Sequence, residues 1–301
     1  MRKKVVVLMS TYNGEKFIEE QIKSLIKQQD VDIKILVRDD GSTDNTINIL
    51  KKFKDENVLD FYVGKNKKPA KSFMELLSKS PDADYYAFCD QDDYWMPNKL
   101  SNAIQKLEQS KSKNGKFYYS SLDVVDKNLN FCYNSTISGK VQYDNEMIKN
   151  YATGCTIVID YILRNKVNNC KFDFIAMHDS WIYRIALSTD AYVYYDKNSY
   201  IKYRQHENNV LGTTNNFFKI WNRRLKRFIH SISETSNTAR ELLNNDEILN
   251  IPNDKKNKLI ILANYKHNFK YKLLLIFTNI VKGKDFITNF LFKIKVLFNR
   301  G

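Results

Sequence analysis

The first hundred residues alternate three times between a short apolar run and an amphipathic stretch, and that alternation constrains the fold more than any other feature. "KKVVVLMS", "DIKILVRDD", "VLDFYVG" and "DYYAFCD" are runs of strand length rich in Val, Ile, Leu and aromatic residues. Between them lie "GEKFIEEQIKSLIKQ", "STDNTINILKKF" and "KSFMELLSK", whose apolar residues recur at helical spacing. Ser42, Thr43 and Asp44 are candidates to cap the second helix. Parallel strands joined by crossover helices follow from this order. In such open sheets ligands bind beyond the carboxyl ends of the strands, and those ends carry "STYNG", "RDDGSTD" and "CDQDD". The three polar clusters are expected to face one pocket.

The third cluster is unusual. A strand of Tyr85, Tyr86, Ala87, Phe88 and Cys89 ends on Asp90, Asp92 and Asp93, and carboxylates so placed repel unless a cation or a hydrogen-bonding ligand sits among them. Asp90-Gln91-Asp92 is a D-x-D unit. Alternate residues of an extended segment point the same way, so both carboxylates can share one hard cation, Mg²⁺ or Mn²⁺, that keeps sites free for substrate phosphates. In "VRDDGSTD" an acid of the pair Asp39-Asp40 can accept a hydrogen bond from a base imide or a ribose hydroxyl, and Tyr12 offers a face for base stacking.

Beyond residue 110 the pattern is mixed. "GKFYYSSLDVVD" is expected as a strand, "ATGCTIVID" as a strand or a turn into a short helix, and "HDSWIYRIALS" as a helix. "AYVYYDKNSYIKYRQH" is expected as two strands joined by a turn at 196–198. After about residue 215 the sequence is helical, with a break at Pro252.

Taken together, "STYNG", "VRDDGSTDNT" and "DQDDYWMPNKL" resemble family 2 glycosyltransferases of the GT-A fold, over roughly residues 4–210. The resemblance implies an α/β fold with a Rossmann-like, mixed, mostly parallel sheet flanked by helices. It gives a catalytic domain over 1–212, with a nucleotide-sugar half to about 110 and an acceptor half from about 111. A basic helical region, 213–301, follows. It also implies that Ser10, Thr11, Tyr12, Asp39 or Asp40, Asp90 and Gln91 bind the nucleotide, and that Asp92 holds the metal with help from Asp90; His206, at the strand-to-loop exit of "YRQHENNV", is a further candidate for the metal or the diphosphate. Asp179 is then the general base that takes the acceptor's proton in an inverting displacement. Asp93, Trp95, Gly154, Cys155, His178 and Trp181 are expected around the donor sugar and acceptor, and Arg204 near the diphosphate.

"SFMELL", "MHDSWI" and "YRQHENNV" are most similar to the rhamnosyltransferase branch, which implies dTDP-rhamnose as donor, with a UDP-hexose as the alternative. The implied acceptor is a glycan or lipid-linked glycan. The Q-x-x-R-W motif of processive synthases is missing, which favours single addition.

The formal net charge is +14, and from residue 215 onward there are 17 Lys and Arg against 6 Asp and Glu. A basic tail fits nucleic acid or an anionic membrane surface. The first would leave "DQDD" and "HD" idle and shows no recognition module, so no nucleic-acid partner is expected. "KDFITNFLFKIKVLFNR" places Phe286, Phe290, Ile294 and Leu297 at helical spacing with lysines nearby, which suits either an interfacial helix or one packed on the catalytic domain. Its longest apolar neighbour, "LLLIFTNIV", is too short to span a bilayer. Four cysteines without CxxC pairing are expected as reduced thiols. The first apolar run is expected as a strand rather than a signal peptide. Together these features predict a cytoplasmic protein, peripheral on the inner face of the cell membrane.

Overall fold

The computed structural model describes residues 2–137, 141–206 and 234–300. β1 (Lys3–Thr11), β2 (Val31–Asp39), β3 (Leu59–Val63) and β4 (Tyr85–Cys89) alternate with α1 (Ile18–Ile26), α2 (Thr46–Asp55) and α3 (Lys68–Lys79). All three expected crossovers are present. β1 is a continuous apolar run because the sheet is covered on both faces. Val6 and Leu8 join one core and Val5, Val7 and Met9 the other, as strand alternation dictates. On α1, Ile18, Ile22 and Leu25 fall on one buried stripe. α2 starts at Thr46 with Asn45, one residue after the anticipated caps, in the N-cap position, and Asp44 still accepts from the Thr46 amide at 3.0 Å.

The sheet continues through β5 (Tyr94–Trp95), β6 (Lys116–Val125), β7 (Phe131–Asn134), β8 (Val158–Asp160) and β9 (Tyr192–Arg204). Its order is β3-β2-β1-β4-β8-β6-β9-β5, with β7 on β6. The β3-β2-β1-β4 half is wholly parallel, while β8 pairs antiparallel with both β4 and β6. α4 (Lys99–Glu108), α5 (Tyr143–Ile148), α6 (Tyr161–Asn169) and α7 (His178–Ser188) flank it. "GCT" of 154–156 forms a 3₁₀ turn leading into β8.

One element differs from expectation. The 192–204 segment is a single strand, not a hairpin, because both of its parts pair in the same direction with β6. The anticipated turn residues make a bulge there. Asp196 pairs with Ser120 and Ser199 with the next residue, Ser121, while the Asp196 carboxylate accepts from the Asn198 amide at 3.0 Å.

Helices Glu234–Asn244, Asp246–Leu249, Asn253–Asn264, Phe269–Phe277 and Phe286–Leu297 form the C-terminal region. Ala239, Leu242, Leu259, Leu262, Leu275, Phe292 and Val296 complete the core that holds Phe73 and Trp181. The 212/213 domain boundary lies outside the described residues. The four cysteines are free thiols, all buried but Cys132.

Candidate active site

The register of the parallel strands sets the site. Thr11 lies beside Asp39 and Met9 beside Cys89, so all three motifs leave the sheet at one edge. The "STYNG" and "CDQDD" turns are tied directly: the Tyr12 amide donates to Gln91 Oε1 at 2.9 Å, and Gln91 Nε2 donates to the Tyr12 carbonyl at 3.1 Å. Gly14 is needed here, since a Cβ would fall within 3 Å of the Gln91 amide. The Tyr12 ring remains 49% exposed above the edge.

Asp39 and Asp40 divide their work. Asp39 is fully buried and accepts from Thr11 Oγ1 (2.9 Å), the Gly41 and Ser42 amides (3.0 and 2.8 Å) and Ser42 Oγ (2.6 Å), so its carboxylate shapes the turn. Gly41 takes a positive φ of 84° there, which suits glycine. Asp40 pairs with the buried Arg38 and accepts from the Lys67 amide at 3.2 Å. Arg38 also donates to Ser72 Oγ (3.1 Å), which hydrogen-bonds Ser10 Oγ (2.7 Å). Nearby Glu75 binds Lys67 and Lys79, and those hydrogen bonds hold its carboxyl down at about 2. Arg38, Ser72 and Glu75 escape sequence reasoning. The one local signal is an arginine directly after the apolar run Ile35-Leu36-Val37 of β2.

At the end of β4 the acids separate by environment. Asp92 meets His206 from the far end of the fold, Oδ2 to Nε2 at 2.7 Å, and Phe17 packs on the imidazole at 4.9 Å between ring centroids. Burial pushes the Asp90 carboxyl up to about 7, with the neighbouring Asp92 and Asp179 charges adding to it. Asp93 is completely buried and accepts from the Arg204 amide at 3.1 Å; burial raises it well above the usual carboxylate range.

Asp90, Asp93 and Cys155 each place a ligand atom within 4.8 Å of the others. Burial also raises the Cys155 thiol, and a protonated thiol is a poor partner for a hard cation. The Asp92–His206 pair, with Asp90 behind it, offers the oxygen and nitrogen donors that suit Mg²⁺ or Mn²⁺. The charges of Asp92 and Asp179 add to the effect of burial on Asp90, and a divalent ion would relieve that repulsion; in this respect these residues suit one.

Asp179 lies in the first turn of α7. Its carboxylate accepts from the Ser180 amide at 2.5 Å, from the Gly154 amide and from the Asn150 side chain. Burial nevertheless pushes it up to about 6. His178 is buried between Phe73 and Phe88, at centroid distances of 4.1 and 5.4 Å, and burial drives its pKa down to about 3. It is therefore a neutral packing residue under the site. Gly154 permits this packing, because a Cβ would stand 2.8 Å from His178 Nε2.

Three expected site residues lie elsewhere. Trp95 and Trp181 are 0% and 2% exposed inside the core, so neither lines a pocket; Trp95 carries the buried Lys99 ammonium 3.5 Å from its ring centroid. The Arg204 guanidinium is consumed by the Asp92 carbonyl (2.8 Å), the Lys127 carbonyl and Glu20, and stacks 4.6 Å over Phe17. It is a strut between β9 and the D-x-D turn, not a group facing open space. A cleft of about 590 Å³ at the opposite, amino-terminal edge of the sheet, near Lys3 and Tyr85, holds none of these residues.

The sequence model of glycosyl transferase family 2 matches residues 6–165. A dTDP-rhamnosyl transferase, RfbG of Shigella flexneri, is 37% identical over 231 residues, 69% of this chain and 75% of that protein. A UDP-Glc:alpha-D-GlcNAc-diphosphoundecaprenol beta-1,3-glucosyltransferase of Escherichia coli, WfgD, is 29% identical over 60% of this chain and 68% of its own length. Among solved structures, residues 1–349 of TarS from S. aureus align with a TM-score of 0.59 at 18% identity, over 92% of this chain and 76% of that one. The mannosyltransferase PcManGT of Pyrobaculum calidifontis, solved with GDP-Man and Mn²⁺, aligns with a TM-score of 0.54 at 13% identity, over 100% and 89%. At those identities the structures speak for the fold, and the sequence relatives for the family. The chain is a family 2 glycosyltransferase of the GT-A fold, similar to rhamnosyltransferases.

Proposed function

We propose that this glycosyltransferase moves L-rhamnose from dTDP-rhamnose to a hydroxyl of a growing cell-surface or lipid-linked glycan, with inversion and with a divalent metal. The observation that carries the reading is the meeting of Asp92 and His206, 114 residues apart, beside an Asp90 whose charge is already felt by Asp179. Donor-side and acceptor-side carboxylates thus share one edge of the sheet.

Tyr12 stacks on the base, and the Asp40–Arg38–Ser72–Ser10 chain holds the base and ribose acceptors in place. Asp92, His206 and Asp90 hold the Mg²⁺ or Mn²⁺. Bound there, the ion neutralises charge on the diphosphate leaving group. Asp179 takes the proton of the acceptor hydroxyl as that oxygen bonds to the anomeric carbon and the glycosidic oxygen departs with the diphosphate. A carboxyl held near pH 6 is a stronger base than an ordinary one yet still mostly ionised at neutral pH. The amides of Gly154 and Ser180 orient it without neutralising it.

The name of RfbG supports dTDP-rhamnose, and that of WfgD supports the second reading, a UDP-glucose donor with a lipid-diphosphate-linked acceptor. We place the enzyme on the cytoplasmic face of the cell membrane. Mass spectrometry of extracted lipid-linked glycans incubated with dTDP-rhamnose or UDP-glucose tests the choice. A deoxyhexose increment from dTDP-rhamnose alone supports the first reading; a hexose increment from UDP-glucose alone replaces it with the second.

A further inference from the structure

The last helix packs by one side only. Phe292 and Val296 enter the core, whereas Phe286, Ile287, Phe290, Leu291, Leu297 and Phe298 point outward, Phe286 at 82% exposure. Phe286 and Phe290 stack on one another at 6.1 Å between centroids, so the rings form an ordered ridge. The preceding helix, Phe269–Phe277, packs against it and exposes a second ridge of Phe269, Leu273 and Phe277 at i, i+4 and i+8. Such exposure of large apolar side chains marks a contact surface. The partner's chemistry follows from the charge. From residue 267 to the end there are seven Lys and Arg and a single acid, Asp285, and six of the seven remain once Lys284 is paired with the buried Glu146. Neither helix is long and apolar enough to cross a membrane. Phenylalanine ridges with a basic surround, on helices that do not span, match the interface of an anionic bilayer.

The attachment of this helix to the body gives the surface a purpose. Lys284, two residues before the helix, reaches the fully buried Glu146 at 2.6 Å and lies 4.2 Å over the Tyr151 ring. Tyr151 neighbours Asn150, which holds Asp179, and Gly154 follows three residues later. The last helix is thereby fixed to the segment that contacts Asp179.

We infer that the two C-terminal helices dock on an anionic lipid surface through these phenylalanine ridges and so present the acceptor side of the site to the membrane. The purpose rests on the lipid-linked acceptor proposed above; the docking itself does not, and its test uses neither donor nor acceptor. The full chain is mixed with vesicles of phosphatidylcholine, with and without 30 mol % phosphatidylglycerol, and floated on a sucrose gradient; about one-third anionic lipid is the working composition for this electrostatic test.

Flotation with the anionic vesicles, weakened at least tenfold by Phe286→Glu/Phe290→Glu and by Lys293→Gln/Lys295→Gln, is expected. All four positions leave Glu146 and the core untouched, and unchanged circular dichroism and thermal melting show that each variant is folded. Absence of flotation at low salt overturns the inference. So does flotation unaffected by the phenylalanine change, or a dimer in light scattering that the same change dissolves without any vesicle binding.

Discussion

Asp179→Asn isolates the base. In the wild type a carboxyl titrating near 6 is about 90% ionised at pH 7 and about 10% at pH 5, so kcat should fall roughly tenfold between them, with unit slope on the acid side. Removing the proton acceptor costs about 10²- to 10⁴-fold in rate, which is roughly 3–5 kcal/mol of barrier. The variant's residual activity should lose the acid limb.

Stability moves the other way. Burial raises this carboxyl, so its favourable contribution is present below the ordinary carboxylate pKa and is lost as pH rises through about 6. A shift of that size carries at most about 3 kcal/mol, lowered by the water that reaches a half-buried group. Asparagine can still accept from the Gly154 and Ser180 amides, so at pH 8 the variant should be as stable as the wild type or more so. Sugar transfer from dTDP-rhamnose to extracted lipid-linked glycan gives the rate, urea unfolding the stability and calorimetry the donor affinity. A variant retaining more than about a tenth of the wild-type rate, or a wild-type rate flat from pH 5 to 7, would refute the assignment.

Other predictions concern the supports. Asp92→Asn should weaken Mn²⁺-dependent nucleotide binding by at least about 100-fold, since even outer-shell changes around a metal cost 10- to 100-fold; unchanged affinity with and without metal in calorimetry counts against the Asp92–His206 site. Lys284→Met leaves Glu146 buried without its cation and should cost roughly 3 kcal/mol in urea melts, softened because burial already favours the neutral acid; a change under about 0.5 kcal/mol would show the pair to be idle. Trp181→Ala should cost about 3–5 kcal/mol with dTDP affinity kept in the folded fraction, as for a core residue. A selective loss of nucleotide binding without loss of stability would return Trp181 to the pocket.

The parallel half of the sheet was legible because its strands are continuous apolar runs and its helices carry buried stripes such as Ile18, Ile22 and Leu25. Parallel topology alone brings the three polar ends together at one edge. His206 was legible only as a candidate at a strand-to-loop exit; its contact with Asp92 depends on β9 returning beside the D-x-D turn. What failed were features that local pattern does not carry. A turn signal at Asp196 serves a bulge as well as a hairpin, and only pairing with β6 decides between them. Tryptophans beside catalytic motifs resemble pocket walls, yet Trp95 and Trp181 lie on the inward faces of their elements. Arg204 is claimed by Glu20, 184 residues away, a pairing invisible in one dimension. The carboxylate of Asp39 looked as available as that of Asp40, but Thr11, Gly41 and Ser42 use all of it locally.

Calorimetric titration of the full chain with dTDP and with UDP, each in Mn²⁺, Mg²⁺ or EDTA, tests the central claim most directly. Binding that requires the metal, prefers dTDP and disappears in Asp92→Asn is the predicted result. Binding of neither nucleotide with metal present, or binding indifferent to EDTA, would contradict it.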